Sequence, residues 1–134
     1  MKTKKRVILI IAVIILVIGI LLLVNYLNSV RDYRAKVNAI TLSGIDISSV
    51  SDGTYIGEYD VDFIYAKVEV VVQDGKIVTI NLLEHRHDRG QSAEIILDRI
   101  IAEQTVDVDA ITSATNSSKT IQKAVDNALL LGIQ

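Results

Sequence analysis

The segment DAITSATNSSKT, residues 109–120, concentrates hydroxyl groups at the start of an amphipathic helix. The first N–H groups of a helix have no partner within it, and the helix dipole makes that end positive. A phosphate group binds well at such a position, and Lys119 could add positive charge there. Simple capping by Asn116 or Ser117 is the alternative, because short polar side chains also satisfy these N–H groups. The hydroxyl groups belong to Thr112, Ser113, Thr115, Ser117 and Ser118.

A second polar segment, EHRHDRG at residues 84–90, places two histidines two positions apart. At the end of a strand, His85 and His87 would point the same way, since side chains alternate along a strand. With Asp88 or Glu84 they could bind a metal ion. The chain contains no third histidine, and a solvated polar loop is the commonest structure for such a segment. These residue types alone therefore do not predict a metal site.

The stretch before these residues has the pattern of β-strands. The runs AKVEVVV and KIVTINLL flank Asp74 and Gly75. An Asp-Gly pair supplies the positive φ angles that a tight turn needs, so the sequence predicts an antiparallel hairpin. Alternation predicts that the apolar residues of each strand share one face. These two sets are Val68, Val70 and Val72, and Val78, Ile80 and Leu82.

Helical periodicity follows the strands. In GQSAEIILDRIIAEQ, and again from Ile121 onward, apolar residues recur at i, i+3, i+4, i+7 and i+8. Ser92 and Glu94 suit the start of the first helix, and Gly132 suits the end of the last. Strands followed by helices in separate blocks predict an α+β fold, a small antiparallel sheet packed with two helices. The two stripes are Ala93, Ile96, Leu97, Ile100 and Ile101, and Ile121, Ala124, Val125, Ala128 and Leu129.

Residues 7–27 form an uncharged, mainly aliphatic run near the N-terminus. As a helix it would extend roughly 31 Å, and a bilayer core is about 30 Å thick. The run is longer than a usual signal peptide core and no A-x-A-like cleavage site follows it, so we expect an uncleaved transmembrane anchor. Four basic residues precede it, and basic flanks stay on the cytoplasmic side, which predicts a single-pass protein of the cell membrane with an extracytoplasmic C-terminal domain. These basic residues are Lys2, Lys4, Lys5 and Arg6.

The remaining boundaries follow from composition. We expect a basic cytoplasmic tail at residues 1–6, the transmembrane anchor at 7–27, a connector at 28–51 and the domain at 52–134. Apolar residues at 26, 30, 33, 37 and 40 predict that the connector begins as a helix. Ten of the 14 Lys and Arg residues follow the anchor, against 16 Asp and Glu, so residues 31–134 have a net charge of −6. This charge argues against nucleic acid as a partner, and the absence of cysteine excludes disulfides and thiolate metal sites.

Three segments of the chain resemble the FMN-binding domain family: DGTYIG (52–57), VQDGKIVTI (72–80) and QTVDVDAITSATNSSKTIQKAVDNAL (104–129). That family includes the C subunit of the sodium-pumping NADH:quinone oxidoreductase and the G subunit of the Rnf complex. The resemblance covers residues 51–130 in the family's order. Its most specific part is the motif Asp-x-x-Ser/Thr-Gly-Ala-Thr before a terminal helix, which Asp109, Thr112, Ala114 and Thr115 match.

In that family, a flavin transferase joins FMN through its phosphate to the hydroxyl of the motif's final threonine. The resemblance therefore implies that Thr115 is the acceptor, with neighbouring hydroxyls and amides hydrogen-bonded to the phosphate. Ser113 departs from the motif, because the family usually has glycine there. If that position requires a positive φ, serine costs roughly 1 kcal/mol or more, and the site could then hold FMN without a covalent bond. The neighbouring residues of the implied site are Asp109, Thr112, Ser113, Ala114, Asn116, Ser117 and Lys119.

The resemblance also implies that the loop at residues 84–90 approaches the flavin ring. Arg86, His87 and Arg89 would then stabilise the anionic reduced flavin electrostatically. We therefore expect this loop to tune the flavin rather than to bind metal.

Together these features predict a membrane-anchored, extracytoplasmic flavoprotein that transfers one or two electrons. The expected partners are a flavin transferase and a membrane electron donor such as quinone or a redox complex. Covalent tethering suits an exported carrier, because lost FMN could not be replaced from the cytoplasm. The sequence contains no recognisable motif for binding a nicotinamide cofactor or a substrate, so an electron carrier or redox-complex subunit is favoured over a stand-alone enzyme. Two alternatives stay open: a noncovalent binder of FMN or another anionic ligand, and an exported non-redox binding or sensory module.

Overall fold

The computed structural model describes residues 1–133, and the chain divides into two compact units, residues 1–35 and the part from Lys36 onward. The first unit belongs to a helix, α1 (Lys2–Asn38). This helix is long and apolar enough to cross a membrane by its length and composition, a test that signal sequences also pass. The helix continues beyond the aliphatic run to Asn38, as the apolar positions 30, 33 and 37 predict.

The second unit contains, among the described residues, an antiparallel sheet of three strands and two further α-helices. The strands are β1 (Gly53–Asp60), β2 (Tyr65–Gln73) and β3 (Lys76–Arg86), in the order β1-β2-β3. The helices α2 (Ile96–Glu103) and α3 (Thr115–Leu130) follow. The predicted α+β fold with an N-terminal apolar helix is therefore confirmed.

The turn between β2 and β3 is the one that the sequence predicts. Asp74 has a φ of 51° and Gly75 a φ of 68°. Positive φ at both central residues is the backbone of a two-residue hairpin turn, and its twist matches that of the flanking strands. The Asp74 N–H also donates to the Asp52 carboxylate at 2.8 Å, which joins the turn to the start of β1.

Two irregularities in β3 change which side chains face the core. Val71 pairs with Thr79 but Val72 pairs with Ile77, so Val78 is an extra residue in the strand. Val68 pairs with Leu82 but Lys67 pairs with Glu84, so Leu83 is a second extra residue. Each bulge reverses the alternation of side chains beyond it. The prediction that Val78 shares a face with Ile80 and Leu82 is therefore wrong: Ile77 is buried instead, and Val78 is 45% exposed.

Helix α3 packs against the buried face of the sheet and contributes five residues to the core. Its predicted apolar stripe is completely buried, as are the inward-facing valines of β2. Gly57 of β1 permits the close approach of the helix, because a methyl group there would lie 2.8 Å from the Cβ of Ala128 and would overlap the Ala124 carbonyl oxygen. The buried stripe consists of Ile121, Ala124, Val125, Ala128 and Leu129.

Helix α2 begins later than the sequence predicts. A 3-10 turn (Gln91–Ile95) precedes it, and Ile95 is its N-cap residue, so the prediction that Ser92 caps the helix is wrong. The predicted apolar stripe is otherwise confirmed, with Ala93, Ile96, Leu97 and Ile100 buried. The helix ends at Glu103, and Gln104 is its C-cap residue. The side-chain amide of Gln104 donates through Nε2 to the Ile77 carbonyl and accepts through Oε1 from the Ile77 N–H, both at 2.8 Å.

Residues 36–51, within the predicted connector, contribute to the folded unit. Ile47 and Val50 are buried in the core. The N–H of Ser43 donates to the buried carboxylate of Asp126 in α3 at 3.2 Å, and the Ser43 hydroxyl donates to the same carboxylate. The ammonium group of Lys123 contacts Asp126 at 2.7 Å and balances its charge. The connector is therefore attached to α3 through a buried carboxylate.

The C-terminal end of α3 falls near the predicted position, but Gly132 has a different role. The helix ends at Leu130, and Gly132 does not have the positive φ of a glycine stop. A methyl group at Gly132 would lie 2.6 Å from the Tyr55 ring and from Val50. Gly132 therefore permits close packing against β1.

Candidate functional site

Residues 106–114, which precede α3, are held in place by side chains of that helix. The Ser118 hydroxyl accepts a hydrogen bond from the Ile111 N–H at 3.0 Å and donates to the Ala114 carbonyl at 2.8 Å. The buried amide of Gln122 donates to the carbonyls of Val106 and Val108, both at 2.8 Å. The sequence pattern singled out the hydroxyl of Ser118 but not its structural role, and it did not single out Gln122, because both roles depend on how the chain folds back onto the helix.

The first residue of α3 is Thr115, and the N-cap residue is Ala114. The methyl side chain of Ala114 cannot accept a hydrogen bond, so the first turn has no side-chain cap at the usual position. Asn116 and Ser117 lie inside the helix, and the prediction that one of them caps it is wrong. The N-terminus of α3 therefore resembles an anion-binding site more than an ordinary capped end.

The five hydroxyl groups within residues 112–118 fall into two classes. Those of Ser117 and Ser118 belong to residues that are buried. Those of Thr112, Ser113 and Thr115 belong to exposed residues. Only the second class is accessible to a large ligand or to a modifying enzyme, and Thr115 alone of these lies within the helix.

The backbone at Ser113 is not strained. Among residues 1–133, the positions other than glycine that have a positive φ are Asp62, Asp74 and Gln104. The penalty of roughly 1 kcal/mol for serine in a left-handed conformation therefore does not apply at Ser113. Its hydroxyl lies 3.3 Å from the Ser92 hydroxyl, which joins the motif to the 3-10 turn (Gln91–Ile95).

The loop at residues 87–90 lies against the start of α3. Gly90 contacts Ser117 so closely that a methyl group on Gly90 would lie 2.7 Å from the Ser117 Cβ. The Gly90 N–H donates to Nδ1 of His87 at 3.0 Å, which fixes the imidazole ring within the loop. The Arg89 side chain is 93% exposed and lies 3.8 Å from the carboxylate of Asp88. Arg86 is not part of this arrangement, because it binds Asp60 at 3.3 Å.

The two histidines lie on the same side, as their spacing predicts, with ring centroids 4.4 Å apart. Nδ1 of His85 lies 3.0 Å from a carboxylate oxygen of Glu94 in the 3-10 turn. His85, His87 and Glu94 can each present a ligand atom within 4.8 Å of the others. The sequence suggested Asp88 or Glu84 as the third ligand. In the structure the Asp88 side chain is 95% exposed. Glu84 is also exposed, and it lies opposite Lys67 in the sheet. In the sequence, Glu94 could be recognised only as an acidic residue near the start of a helix, and not as a neighbour of His85.

Other predicted site residues line a separate cleft of about 480 Å³. It brings Asp109 together with Lys119 and is closed on one side by residues 40–42. Asp109 itself is exposed, and its backbone carbonyl accepts a hydrogen bond from Arg99 at 3.2 Å. The predicted site residues thus fall into two groups, one at this cleft and one beside the loop at residues 87–90.

Comparison with known proteins supports one relationship. Residues 62–130, just over half of the chain, match the family described as FMN-binding domain. The matched region includes β2, β3, α2 and α3, and thus the whole of the segment at residues 109–115. No curated protein matches the chain.

Proposed function

The chain belongs to the FMN-binding domain family, with FMN as its cofactor, and on that premise we propose that it is a membrane-anchored, extracytoplasmic electron carrier with FMN bound through a phosphoester to Thr115. The proposal has three parts: the attachment, the electron transfer and the location. The attachment rests on the geometry at the start of α3. The electron transfer rests on the cofactor, and the location rests on α1 and its basic flank.

The proposed attachment of FMN to Thr115 rests mainly on one observation. Thr115 is an exposed hydroxyl-bearing residue at the first position of α3, next to an alanine N-cap. A phosphate esterified there lies among N–H groups that an alanine side chain cannot satisfy, and the positive end of the helix dipole stabilises its negative charge. An ordinary capped helix would gain about 1 kcal/mol from Ser, Asn or Asp in place of Ala114. The alanine is therefore unfavourable for the unmodified helix but leaves room for a phosphate.

The buried hydroxyls of Ser117 and Ser118 do not compete with Thr115 for modification. Ser118 is completely buried and uses its hydroxyl to hold Ile111 and Ala114. Ser117 is 2% exposed and packs under Gly90. Thr112 and Ser113 are exposed, and we assign them to hydrogen bonds with the bound phosphate or ribityl chain. Asn116 lies next to Thr115 on the same segment, whereas Asp109 and Lys119 lie at the separate cleft.

The loop at residues 87–90 supports a role in adjusting the cofactor. The contact between Gly90 and Ser117 holds the loop beside the first turn of α3. Arg89 is exposed there and carries a permanent positive charge. Such a charge stabilises negative charge on a neighbouring cofactor, and His87 adds a hydrogen-bonding ring at the same loop. FMN supplies one- and two-electron redox chemistry, and the protein supplies attachment, orientation and charge.

The location follows from the N-terminal segment. The apolar part of α1 is long enough to cross a bilayer, and four basic residues precede it, which favours a cytoplasmic N-terminus. The FMN-binding domain then lies outside the cytoplasm, where a covalent bond prevents loss of the cofactor. The partners in this proposal are a flavin transferase and a membrane electron donor such as quinone or a redox complex.

An absorption spectrum tests the proposal directly. The full chain, coexpressed with a flavin transferase and purified in detergent, should show flavin absorption that stays with the polypeptide after denaturation and gel filtration. Colour that separates from the denatured chain supports a noncovalent FMN binder. Absence of flavin absorption in both states contradicts the proposed carrier.

A further inference from the structure

Contrary to the expectation from the sequence, we propose that His85 and His87, with Glu94 orienting His85, bind a divalent transition-metal ion of the Zn²⁺ class at a site distinct from the attachment of FMN. The three side chains come from β3, the following loop and the 3-10 turn (Gln91–Ile95). Each can place one nitrogen or oxygen ligand atom within 4.8 Å of the other two. These distances place the three side chains around one candidate position for an ion.

The second bulge of β3 brings His85 to this position. If Leu83 were paired regularly and the strand had no bulge here, alternation from Leu82 would direct Glu84 inward and His85 outward. The bulge reverses this order, so that His85 lies opposite the buried Ala66 and its side chain is only 2% exposed. Bulges commonly redirect a side chain beside a functional site.

The His85 ring also has an unsatisfied nitrogen. Its Nδ1 is 3.0 Å from Glu94, but its Nε2 is buried and is the one buried side-chain nitrogen or oxygen within residues 1–133 that has no hydrogen-bond partner. Leaving such a group unpaired is unfavourable, because the buried nitrogen has lost its hydrogen bond to water. A simple ion pair between His85 and Glu94 would satisfy Nδ1 alone. A metal ion at Nε2 would give that nitrogen a coordinate bond, and Glu94, hydrogen-bonded to Nδ1, would then be the carboxylate that orients the ring.

The surrounding groups fix the ligands in place. Gln91 donates to the other carboxylate oxygen of Glu94 at 3.1 Å and so holds this side chain in place. The Gly90 N–H donates to Nδ1 of His87 at 3.0 Å, and binding of an ion by His87 would replace this hydrogen bond or exchange the tautomer of the ring. Two imidazoles and one carboxylate are borderline donors that suit Zn²⁺, Co²⁺, Fe²⁺ or Ni²⁺ rather than Mg²⁺ or Ca²⁺. A bound ion would cross-link the end of β3 to the 3-10 turn, and so fix the loop that borders α3.

Metal binding to the purified chain tests the proposal. The full chain in detergent, treated with a chelator and dialysed, should bind one equivalent of Zn²⁺ by calorimetry, and Co²⁺ should give a visible absorption band that Zn²⁺ displaces. Glu94→Gln keeps the size of the side chain and its ability to accept a hydrogen bond from His85, but removes the charge. This variant and His87→Gln should each bind Zn²⁺ more weakly by at least about 10-fold. Glu84→Gln is the matched control, because Glu84 lies on the opposite side of the strand, and its affinity should equal that of the wild type.

The remaining outcomes are also decisive. The proposal is overturned if the wild-type chain binds no Zn²⁺ or Co²⁺, if Glu94→Gln binds as tightly as the wild type, or if Glu84→Gln weakens binding equally. Circular dichroism of each variant shows whether it is folded. Repeating the titration in a Thr115→Ala background, which removes the proposed flavin attachment, separates this proposal from that of the flavin. Metal binding should persist there.

Discussion

The backbone of Gly90 rests on the side chain of Ser117, so closely that a methyl group on Gly90 would lie 2.7 Å from the Ser117 Cβ and would overlap its hydroxyl oxygen. We expect Gly90→Ala to destabilise the domain by about 1–3 kcal/mol, because it adds a group to a filled contact. Chemical denaturation followed by circular dichroism measures this change. Combining Gly90→Ala with Ser117→Gly should recover part of the loss, even though glycine in a helix itself costs about 1 kcal/mol. Equal stability of Gly90→Ala and wild type would show that this contact is not tight in solution.

The attachment residue gives the sharpest test of function. Coexpression with a flavin transferase should increase the mass of the wild-type chain by about 438 Da, the mass of FMN less water. Thr115→Ala should abolish this increase, because the proposed acceptor oxygen is gone. Ser117→Ala should keep it, since the Ser117 hydroxyl is buried. Thr115→Ser should retain partial modification. A Thr115→Ala chain that still carries covalent FMN would exclude Thr115 as the acceptor.

The departure from the motif at Ser113 should be tolerated. Because Ser113 lacks a positive φ, replacing it with glycine removes no backbone strain. We expect Ser113→Gly to be flavinylated to the same extent as wild type, as judged by the ratio of modified to unmodified mass. A several-fold higher yield for the glycine variant would show that the side chain itself obstructs the cofactor or the transferase.

Arg89 should raise the reduction potential of the bound flavin. Its positive charge favours the more electron-rich reduced state, so Arg89→Ala should lower the potential. The side chain is 93% exposed, and an exposed charge pair is worth about 0.2–1 kcal/mol, equivalent to about 5–20 mV for two electrons. Arg86→Ala is the control, because Arg86 is engaged with Asp60. Spectroelectrochemical titration should show a smaller shift for the control, and the covalent mass should be unchanged in both variants.

The orientation in the membrane can be tested with single cysteines, since the natural chain has none. Thr79 is exposed on β3, so Thr79→Cys should react with a membrane-impermeant thiol reagent in intact cells. Thr3→Cys, in the basic N-terminal segment, should react only after lysis. Position 117 is unsuitable for this purpose because Ser117 is buried. The reverse pattern of labelling would place the domain in the cytoplasm.

Much of the architecture could be predicted because it depends on local periodicity. The stripe from Ile121 to Leu129 is fully buried, and the Asp74-Gly75 turn has both of its positive φ angles. These features follow from interactions a few residues apart along the chain. The position of Thr115 at a helix start followed from the same kind of pattern.

The features that could not be predicted arise from irregular or long-range packing. The alternation of side chains along a strand does not reveal where a β-bulge inserts an extra residue. The exposure of Val78 and the inward direction of His85 could therefore not be predicted. The approach of Glu94 to His85 depends on that bulge and on the 3-10 turn together. Ser117 was expected at the ligand because of its chemical type, whereas its burial results from the fit of Gly90, which lies 27 positions earlier in the chain.

The hydrogen bonds between Ser43 and Asp126 hold the connector at a fixed distance from Thr115, the proposed attachment residue. Asp126 and Thr115 are separated by 11 residues of one continuous helix, a length of about 16 Å along its axis. The connector is held at one end of this rod and the proposed FMN at the other. If FMN is bound at Thr115, its distance from the point where the connector is held is therefore set by the length of this helix.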